Sequence, residues 1–450
     1  MDWFQSALTK LSDIFESHSQ TNQWWLGLSG GADSMVLLEL LYEFKRTRPD
    51  LKLGAIHVNH SISPNAHNWA EFCKKCCQDY NIEYYERTIQ IGNQTRQGLE
   101  KPLREARWQA FSDVIQDSFL SNEEGSIKPV LFVAHHQDDQ VETLLLNLLR
   151  GTGVAGASGM SEWEERSDFF LARPLIDIPK QSIITFAEEN NLDWVDDESN
   201  QEVQYRRNFL RHNVLPVIAE QWPNYSQTLS RFTRNMQMTG QLVSELAKID
   251  VRATQLGDGL DLNKFRVLSF ERQLNLLRHW ILQKQRYSPS EVQLTEMLKQ
   301  LKNLDSDSNF QFKLNDDVLT VHENELLLIS EKLFNAESYE YIWRDLSKPI
   351  DIQEINGTLL VEKGGELRLP NSSETVRVCS RKGGENCWPI LRDKRTSLKK
   401  VFQELGIARW KRASVPLVFY NDILVCVVGV FVCKEGLVEK EQQGINIIVK

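Results

Sequence analysis

Several features that mark other classes of protein are missing from this chain of 450 residues. No stretch approaches the roughly 18 apolar residues that a membrane-spanning helix needs. The N-terminus has neither the basic start nor the apolar core of a secretory signal peptide. The seven cysteines are odd in number and follow no regular spacing, which argues against a secreted domain stapled by disulfides. We therefore expect a cytoplasmic protein with no membrane partner.

An excess of positive charge is also lacking, because the net charge is −10 at pH 7. On its own this balance argues against a nucleic-acid partner, but binding depends on where the charges lie. One segment departs from the average, since residues 377–412 contain eleven lysines and arginines against three acids. From charge alone, a solvated surface and a phosphate-binding surface explain this segment equally well.

A glycine loop near the N-terminus is the strongest motif of the chain. Its six residues are Ser29, Gly30, Gly31, Ala32, Asp33 and Ser34. A short apolar run that predicts a strand precedes it, and apolar residues at helical spacing follow from Met35. Glycines let the backbone approach a phosphate closely, and a helix start offers N–H groups to it. A Walker loop would add a lysine here, whereas Asp33 indicates Mg²⁺ bound beside a triphosphate.

Strands and helices alternate over the first 215 residues, which predicts a parallel sheet covered on both faces. Ligands of such sheets bind at the carboxyl ends of the strands. The glycine loop follows the first predicted strand, His57 lies near the end of the second, and His135 follows the fourth. The glycine-rich segment 151–159 then predicts a loop.

We expect three domains. The fold class is α/β, with a parallel-sheet nucleotide domain at 1–215. A mostly helical small domain that includes a mixed region follows at 216–345. A β-rich domain at 346–450 completes the chain. At this length, two or three domains are the ordinary expectation.

Three acids fall at the start of the helix predicted from residue 138. Asp138 and Glu142 are four residues apart and Asp139 and Glu142 are three apart, so they are neighbours on one helix surface. Acidic capping by the helix dipole would explain one or two of these acids. It does not explain His135 at the junction of strand and helix. The sequence therefore favours a functional site here.

A further helix carries two arginines on one face, Arg104 and Arg107. The planar, permanently charged guanidinium suits phosphate recognition. Solvated helix arginines are the simpler alternative, and spacing alone does not decide between the two.

Taken in order, these segments resemble one family. The motifs are SGGADS, HVNH at 57–60, RxxRW at 104–108, HHQDDQVET at 135–143, RGTG at 150–153, RPL at 173–175, DDESN at 196–200 and RRNFLR at 206–211. They look like those of the tRNA(Ile)-lysidine synthetases, which are pyrophosphatase-loop (PP-loop) enzymes. The resemblance is dense over the first 215 residues and returns at 399–406.

The resemblance implies a reaction in which ATP adenylates C2 of the wobble cytidine of an isoleucine tRNA with a CAU anticodon, and L-lysine then displaces AMP. It implies catalytic roles for Asp33, Arg104, Arg107, Asp138, Asp139 and Glu142. ATP would contact residues 29–34, His57 and His135, with Asp33 on Mg²⁺. Which acid takes the proton from the amine stays open. The basic 377–412 segment would hold the tRNA, and a homodimer is common enough to expect.

Three alternatives remain on the sequence alone. A tRNA cytidine thiolase shares the ATP loop, and Cys73 and Cys76 are its support. An ATP-dependent amide ligase would need no tRNA, which the basic segment speaks against. A non-catalytic tRNA-binding protein would have little use for Asp33 and the three acids.

Overall fold

A computed structural model describes residues 2–17, 22–60, 63–89, 100–119, 128–198, 202–285, 287–304, 310–334, 338–390, 392–439 and 442–450. Two compact units divide the chain, at 1–242 and 243–450. The predicted borders at 215 and 345 stay predictions. None of the helices in the described ranges combines the length and apolar character needed to cross a bilayer.

The first unit is built on one six-stranded sheet of order β3-β2-β1-β4-β6-β5. Its strands are β1 Gln23–Gly27, β2 Lys52–Asn59, β3 Glu83–Thr88, β4 Val130–Phe132, β5 Trp163–Glu165 and β6 Phe170–Ala172. Its helices are α1 Asp2–Ser17, α2 Ala32–Arg46, α3 Ala66–Asp79, α4 Glu100–Phe119, α5 Gln137–Leu148, α6 Val154–Ala157, α7 Lys180–Glu189, α8 Arg206–Phe209, α9 Leu215–Gln221 and the part of α10 (Tyr225–Thr254) up to residue 242. A π-helical turn, Leu210–Val214, joins α8 to α9.

Strand β1 shows why the sheet is buried on both sides. Trp24 and Leu26 pack into a core with residues of α1, α2, α3 and α7. Trp25 points to the other face and packs with residues of α4. Successive side chains of a strand alternate between faces, so a fully apolar run fits a central strand with helices on both sides. The predicted nucleotide-type α/β fold is confirmed for this unit.

The predicted parallel sheet is confirmed with one exception, since edge strand β5 runs antiparallel to β6. One local expectation was wrong. The 151–159 segment was expected to be a loop, but it contains α6. The amide of Asn147 donates to the carbonyl oxygen of Gly156 and ties α6 to α5. A helix of four residues is too short to show an apolar periodicity, so the glycine content of the segment predicted a loop.

The second unit contains helices, as expected for its first part, and more strands there than the sequence pattern indicated. Its first sheet, of order β7-β8-β11-β10-β9, is antiparallel and falls inside the region expected to be mostly helical. These first elements are β7 Gln255–Leu256, β8 Gly259–Asp261, α11 Leu262–Val267, α12 Phe270–Gln285, α13 Glu291–Lys302, β9 Gln311–Leu314, β10 Asp317–His322, β11 Glu325–Ser330 and α14 Glu331–Phe334.

The C-terminal part is β-rich, as expected. Its strands are β12 Glu340–Ile342, β13 Ile350–Ile352, β14 Gly357–Leu367, β15 Val376–Cys379, β16 Asn386–Cys387, β17 Thr396–Ser397, β18 Leu417–Tyr420, β19 Ile423–Val427, β20 Phe431–Val432 and β21 Ile445–Val449. Two short helices, α15 Leu398–Glu404 and α16 Arg409–Arg412, interrupt them. The sheet of order β12-β15-β18-β19-β20 is antiparallel throughout.

Candidate active site

The glycine loop connects β1 to α2 and is held by its own two serines. The Ser34 hydroxyl accepts a hydrogen bond from the Gly30 N–H at 3.1 Å and donates to the Gly31 carbonyl at 2.9 Å. The Ser29 hydroxyl donates to Ser34 Oγ at 3.1 Å. The loop is therefore shaped before any ligand binds, and it ends at a helix N-terminus that favours anions.

The conformation of this loop requires a glycine at position 30, because the φ of Gly30 is +87°, in the region that residues with a side chain rarely adopt. A Cβ atom there would lie 2.9 Å from Val195 Cγ2 and 3.1 Å from Cys73 Sγ. Its carbonyl oxygen also accepts a hydrogen bond from the Val195 N–H at 3.0 Å. The loop is thus pressed between α3 and the segment after α7.

Gly30→Ala should therefore damage both folding and nucleotide binding. We expect the free energy of unfolding to fall by about 1–3 kcal/mol, from overpacking and the strained φ. The KM for ATP should rise as well, since the loop must shift to relieve the contact. Urea unfolding and ATP-dependent kinetics measure the two effects. Gly153→Ala is the matched control, because φ is −87° there and no atom lies within 4 Å of the added Cβ. Equal effects of both substitutions would contradict this account.

Asp33 lies in the first turn of α2 with one oxygen engaged and one not. Its Oδ2 is 3.6 Å from His136 Nε2 and 3.7 Å from Lys180 Nζ. Its Oδ1 is buried and has no hydrogen-bond partner among the described residues. A buried carboxylate oxygen without a partner is costly unless a ligand supplies one. This oxygen fits the single carboxylate contact that Mg²⁺ makes when phosphates and water complete its shell.

No group of three or more His, Cys, Asp or Glu side chains suited to hold a metal occurs in the described ranges. A protein-only metal cage is therefore not found there. Asp33 fits only an ion that arrives with, or is completed by, a phosphate ligand.

The strand-end histidines are neutral at pH 7. His57 donates from Nδ1 to the Leu28 carbonyl at 2.9 Å, which leaves Nε2 as an acceptor. Burial lowers the pKa of His57. Burial and then the charge of Arg107 lower the pKa of His60 to about 4. Both rings lie at the carboxyl edge of the sheet, where sequence reasoning placed His57.

His136, rather than His135, caps the helix of acids. Its Nδ1 accepts from the Asp139 N–H, while Asp139 Oδ2 accepts from the His136 N–H at 3.1 Å. Burial lowers the pKa of His136, but the carboxylates of Asp139 and Asp33 outweigh it and the net shift is upward. Burial raises the pKa of Asp139, but His136 and then Arg207 outweigh it and hold this pKa well below its usual range. Asp139 is therefore a helix cap and a permanent anion.

Glu142 is fully buried and forms ion pairs with two arginines of the RRNFLR segment. Arg207 lies in α8 and its Nε donates to Glu142 Oε2 at 2.5 Å. Arg211 lies in the π-helical turn and its Nε donates to Oε1 at 2.7 Å. Arg207 also reaches Asp139 Oδ1 at 3.2 Å. Two of the three predicted acids are therefore already paired with cations.

Asp138 differs from its two neighbours. Its Oδ1 accepts a hydrogen bond from the Ser226 hydroxyl at 3.2 Å. No ion pair to it is recorded among the described residues. It lines a cavity of about 180 Å³ together with Glu142, Lys180, Arg211 and Tyr225. Leu215, Pro216 and Ala219 form the apolar wall of that cavity.

The arginines of α4 face the same region. Burial, and then the charges of Arg104 and Arg207, lower the pKa of Arg107 to about 10, so it stays protonated. Its Nε is buried and has no hydrogen-bond partner in the described part of the chain. Arg104 is exposed. The charge of Arg107 interacts with Asp139 and with His135, so the structure brings these three predicted site residues together.

Sequence reasoning missed Lys180 and the roles of Arg207 and Arg211. Lys180 begins α7 and lies between Asp33 and the cavity, but nothing in its local sequence marks it. Arg207 and Arg211 lie in the RRNFLR motif, but neither was assigned a role of its own from the sequence. Their spacing of four residues, matching two acids three apart on α5, was the available signal.

Many cations of the basic 377–412 segment have acidic partners inside the second unit. Arg377 and Lys382 pair with Glu340, and Arg395 pairs with Glu435. Further exposed cations lie on the two short helices of this part. These include Lys399, Lys400 and Lys411.

Models of known protein families match three parts of the chain. A PP-loop domain matches residues 4–218, a TilS substrate binding domain 260–327, and a TilS substrate C-terminal domain 376–449. A tRNA(Ile)-lysidine synthase of Nitrosomonas europaea is 35% identical over 411 residues, covering 90% of this chain and 87% of that relative. One from Coxiella burnetii is 32% identical over 445 residues, covering 98% of this chain and 96% of the relative.

The chain belongs to the tRNA(Ile)-lysidine synthase family. The family indicated by the motifs is thereby confirmed, together with its class as an ATP-using PP-loop ligase. Among solved structures, a U34-tRNA thiolase of Methanococcus maripaludis with its [4Fe-4S] cluster is similar at 19% identity and a TM-score of 0.38, over 48% of this chain and 72% of the thiolase. A TilS C-terminal domain is similar at 17% identity and a TM-score of 0.21, over 25% and 97%.

The cysteines of this lysidine synthase family member do not resemble sulfur carriers. Cys73 is buried on α3 beneath the glycine loop, and Cys76 lies one turn further along. Burial raises the pKa of both thiols. Reactive or metal-binding cysteines need the thiolate form, which a raised pKa disfavours. These residues are best explained as packing groups.

Proposed function

We propose that this protein ligates L-lysine to C2 of the wobble cytidine of isoleucine tRNA with a CAU anticodon. The observation that carries the proposal is the position of Lys180, which approaches Asp33 of the ATP loop and also lines the cavity with Asp138. A nucleotide site and an adjoining cavity with charges of both signs suit a ligase that joins a small zwitterion to an ATP-activated partner.

The reaction has two steps, adenylation of the cytidine and displacement of AMP by lysine. The C2 oxygen of the cytidine attacks the α-phosphorus of ATP, and pyrophosphate leaves with the electrons of the broken P–O bond. The ε-amine of lysine then attacks C2, and the C2–O bond breaks to release AMP. The amine gives up its proton to a base, and the resulting lysidine changes decoding from AUG to AUA. Adenylation is needed because a carbonyl oxygen is a poor leaving group.

The ATP loop binds and orients the triphosphate. The amides of residues 30–32 and the hydroxyls of Ser29 and Ser34 surround the pyrophosphate end, and His57 and His135 contact the nucleotide. Asp33 holds Mg²⁺, which supplies charge neutralisation of the phosphates when it is bound. Arg104 and Arg107 stabilise the charge that develops at the α-phosphate. Arg107 suits this role because its Nε is buried and has no partner among the described residues.

The cavity beside α5 binds free lysine. Lysine carries two ammonium groups, one carboxylate and an apolar stem. Asp138 contacts an ammonium group, Lys180 or Arg211 meets the carboxylate, and the apolar wall covers the methylenes. Asp138 is also the best-placed proton acceptor, since Asp139 and Glu142 are paired with arginines. Those two acids hold Arg207 and Arg211 in place.

The second unit binds the phosphate backbone of the tRNA. Exposed lysines on its short helices offer contacts to phosphates at little cost in fold stability. The seven free cysteines fit a reducing cytoplasm. A homodimer stays a prediction.

Incorporation of labelled lysine into tRNA tests the proposal. With ATP and Mg²⁺ present, we expect one lysine per CAU-anticodon isoleucine tRNA, with stoichiometric AMP and pyrophosphate. Methionine tRNA, which has the same anticodon, is the control that should accept far less. Sulfur incorporation, or ATP cleavage with no lysine transferred, would refute the assignment.

A further inference from the structure

Arg173 is an unusual arginine, because it is one of the largest fully buried side chains of the described residues. It follows β6 in the RPL motif, whose function the sequence left open. Its Nη1 donates to the Ser161 carbonyl at 2.6 Å, and its Nη2 donates to Glu164 Oε2 at 2.9 Å. Both Nη nitrogens of the guanidinium are therefore anchored, which sets the direction of the N–H on Nε.

That Nε donates to Nδ1 of His135 at 3.2 Å. An arginine has no acceptor to offer, so Nδ1 must carry a lone pair and not a proton. The neutral ring then carries its proton on Nε2. Histidine tautomers are commonly fixed in this way by the partner of the other nitrogen.

We propose that Arg173 is a positioning residue that locks His135 in the neutral Nε2–H tautomer, so that the ring presents a hydrogen-bond donor to an anionic substrate oxygen. The proposal rests on the proposed function, which places the substrate phosphates near His135. In this tautomer Nε2 of His135 has no free lone pair, so it cannot accept a proton from lysine.

The groups around His135 agree with a permanent donor. Arg107 from α4, Arg207 from α8 and Arg173 itself are cations that disfavour a protonated ring, and Asp139 from α5 opposes them. Burial is the largest effect, and together these lower the pKa of His135 to about 3. The ring is therefore neutral at any pH at which the protein is expected to work.

Nitrogen NMR of ¹⁵N-histidine-labelled full-length protein, without substrates, tests the tautomer directly. His135→Asn identifies the His135 signals by their loss. We expect an unprotonated Nδ1 and a protonated Nε2, unchanged between pH 8 and pH 5. A protonated Nδ1, or titration in that range, would overturn the proposal. This measurement does not depend on catalytic activity, so it is separate from the test of lysidine formation.

A double-mutant cycle tests whether Arg173 acts through His135. In His135→Gln the amide nitrogen of the new side chain would lie near the place of Nε2 and needs no tautomer lock, whereas in His135→Asn it would lie near the place of Nδ1. We expect Arg173→Met to slow tRNA adenylation about tenfold in the wild type but less than about twofold in the His135→Gln background. We also expect His135→Gln to retain more activity than His135→Asn.

An equal cost of Arg173→Met in both backgrounds would mean a merely structural role and would overturn the proposal. If Arg173→Met fails to fold, as thermal unfolding would show, the NMR result on the wild type still decides the tautomer. A wild type that shows the expected tautomer but transfers no lysine would refute the proposed function and leave the lock between Arg173 and His135 intact.

Discussion

Asp33→Asn should slow adenylation of the tRNA by about 100- to 1,000-fold, which corresponds to roughly 3–4 kcal/mol of transition-state stabilisation. The substitution keeps the shape of the side chain and removes the charge beside the triphosphate. Asp33 Oδ1 is buried without a partner in the described ranges, so asparagine would place an amide where the carboxylate has room for a cation. Pyrophosphate release in single-turnover reactions measures the effect.

The matched control is Glu43→Gln on the same helix. Glu43 is a partly exposed acid that pairs with Arg46 on the surface at 2.8 Å. Exposed pairs of this kind contribute little to stability, so this variant should keep wild-type adenylation. Raising the Mg²⁺ concentration should not restore Asp33→Asn to the wild-type rate. Adenylation of Asp33→Asn within a factor of about three of wild type would remove Asp33 from the site, given the size of such effects.

Substitutions of the α5 acids should distinguish Asp138, which contacts lysine, from Glu142, which holds two arginines in place. Asp138→Asn should raise the KM for lysine about 10- to 100-fold, the value of one charge-assisted hydrogen bond. Its KM for ATP and its thermal stability should change little. Glu142→Gln should behave differently, because Glu142 has no exposed side-chain surface and neutralising it removes one of the two carboxylates, with Asp139, that face Arg207 and Arg211.

For Glu142→Gln we expect a loss of about 2–3 kcal/mol in the free energy of unfolding, since breaking a buried pair costs more than removing both partners. Calorimetry and lysine titration on both variants make the comparison. A higher lysine KM for Glu142→Gln than for Asp138→Asn, with no change in Tm, would reverse the assigned roles. That outcome would make Glu142 the direct lysine ligand.

The sequence was informative where chemistry and local periodicity coincide. The loop at 29–34, the sheet and the strand-end position of His135 all follow from apolar patterns a few residues long. Asp138, Asp139 and Glu142 were correctly placed on one helix. The different roles of these three acids could not be predicted, because the cations that pair with Glu142 are 65 and 69 residues away along the chain. Only the folded chain shows which charges are already neutralised.

The other omissions have a similar physical origin. Lys180 carries no local signal, since a lysine at a helix start resembles any surface lysine. The hairpin of β10 and β11 turns through Glu323 and Asn324, both with positive φ, instead of a glycine-based turn. Patterns that rely on glycine therefore miss it.

The pairing of Glu142 with Arg207 and Arg211 also bears on how the protein is made. During synthesis the chain emerges from its N-terminus, so α5 leaves the ribosome well before its counter-ions do. Until Arg211 has emerged, Glu142 cannot be buried as an ion without a large desolvation penalty. We therefore expect α5 to bury Glu142 only after the RRNFLR segment has been synthesised. A translation product that stops short of residue 207 would hold the ATP loop but could not assemble the pocket beside it.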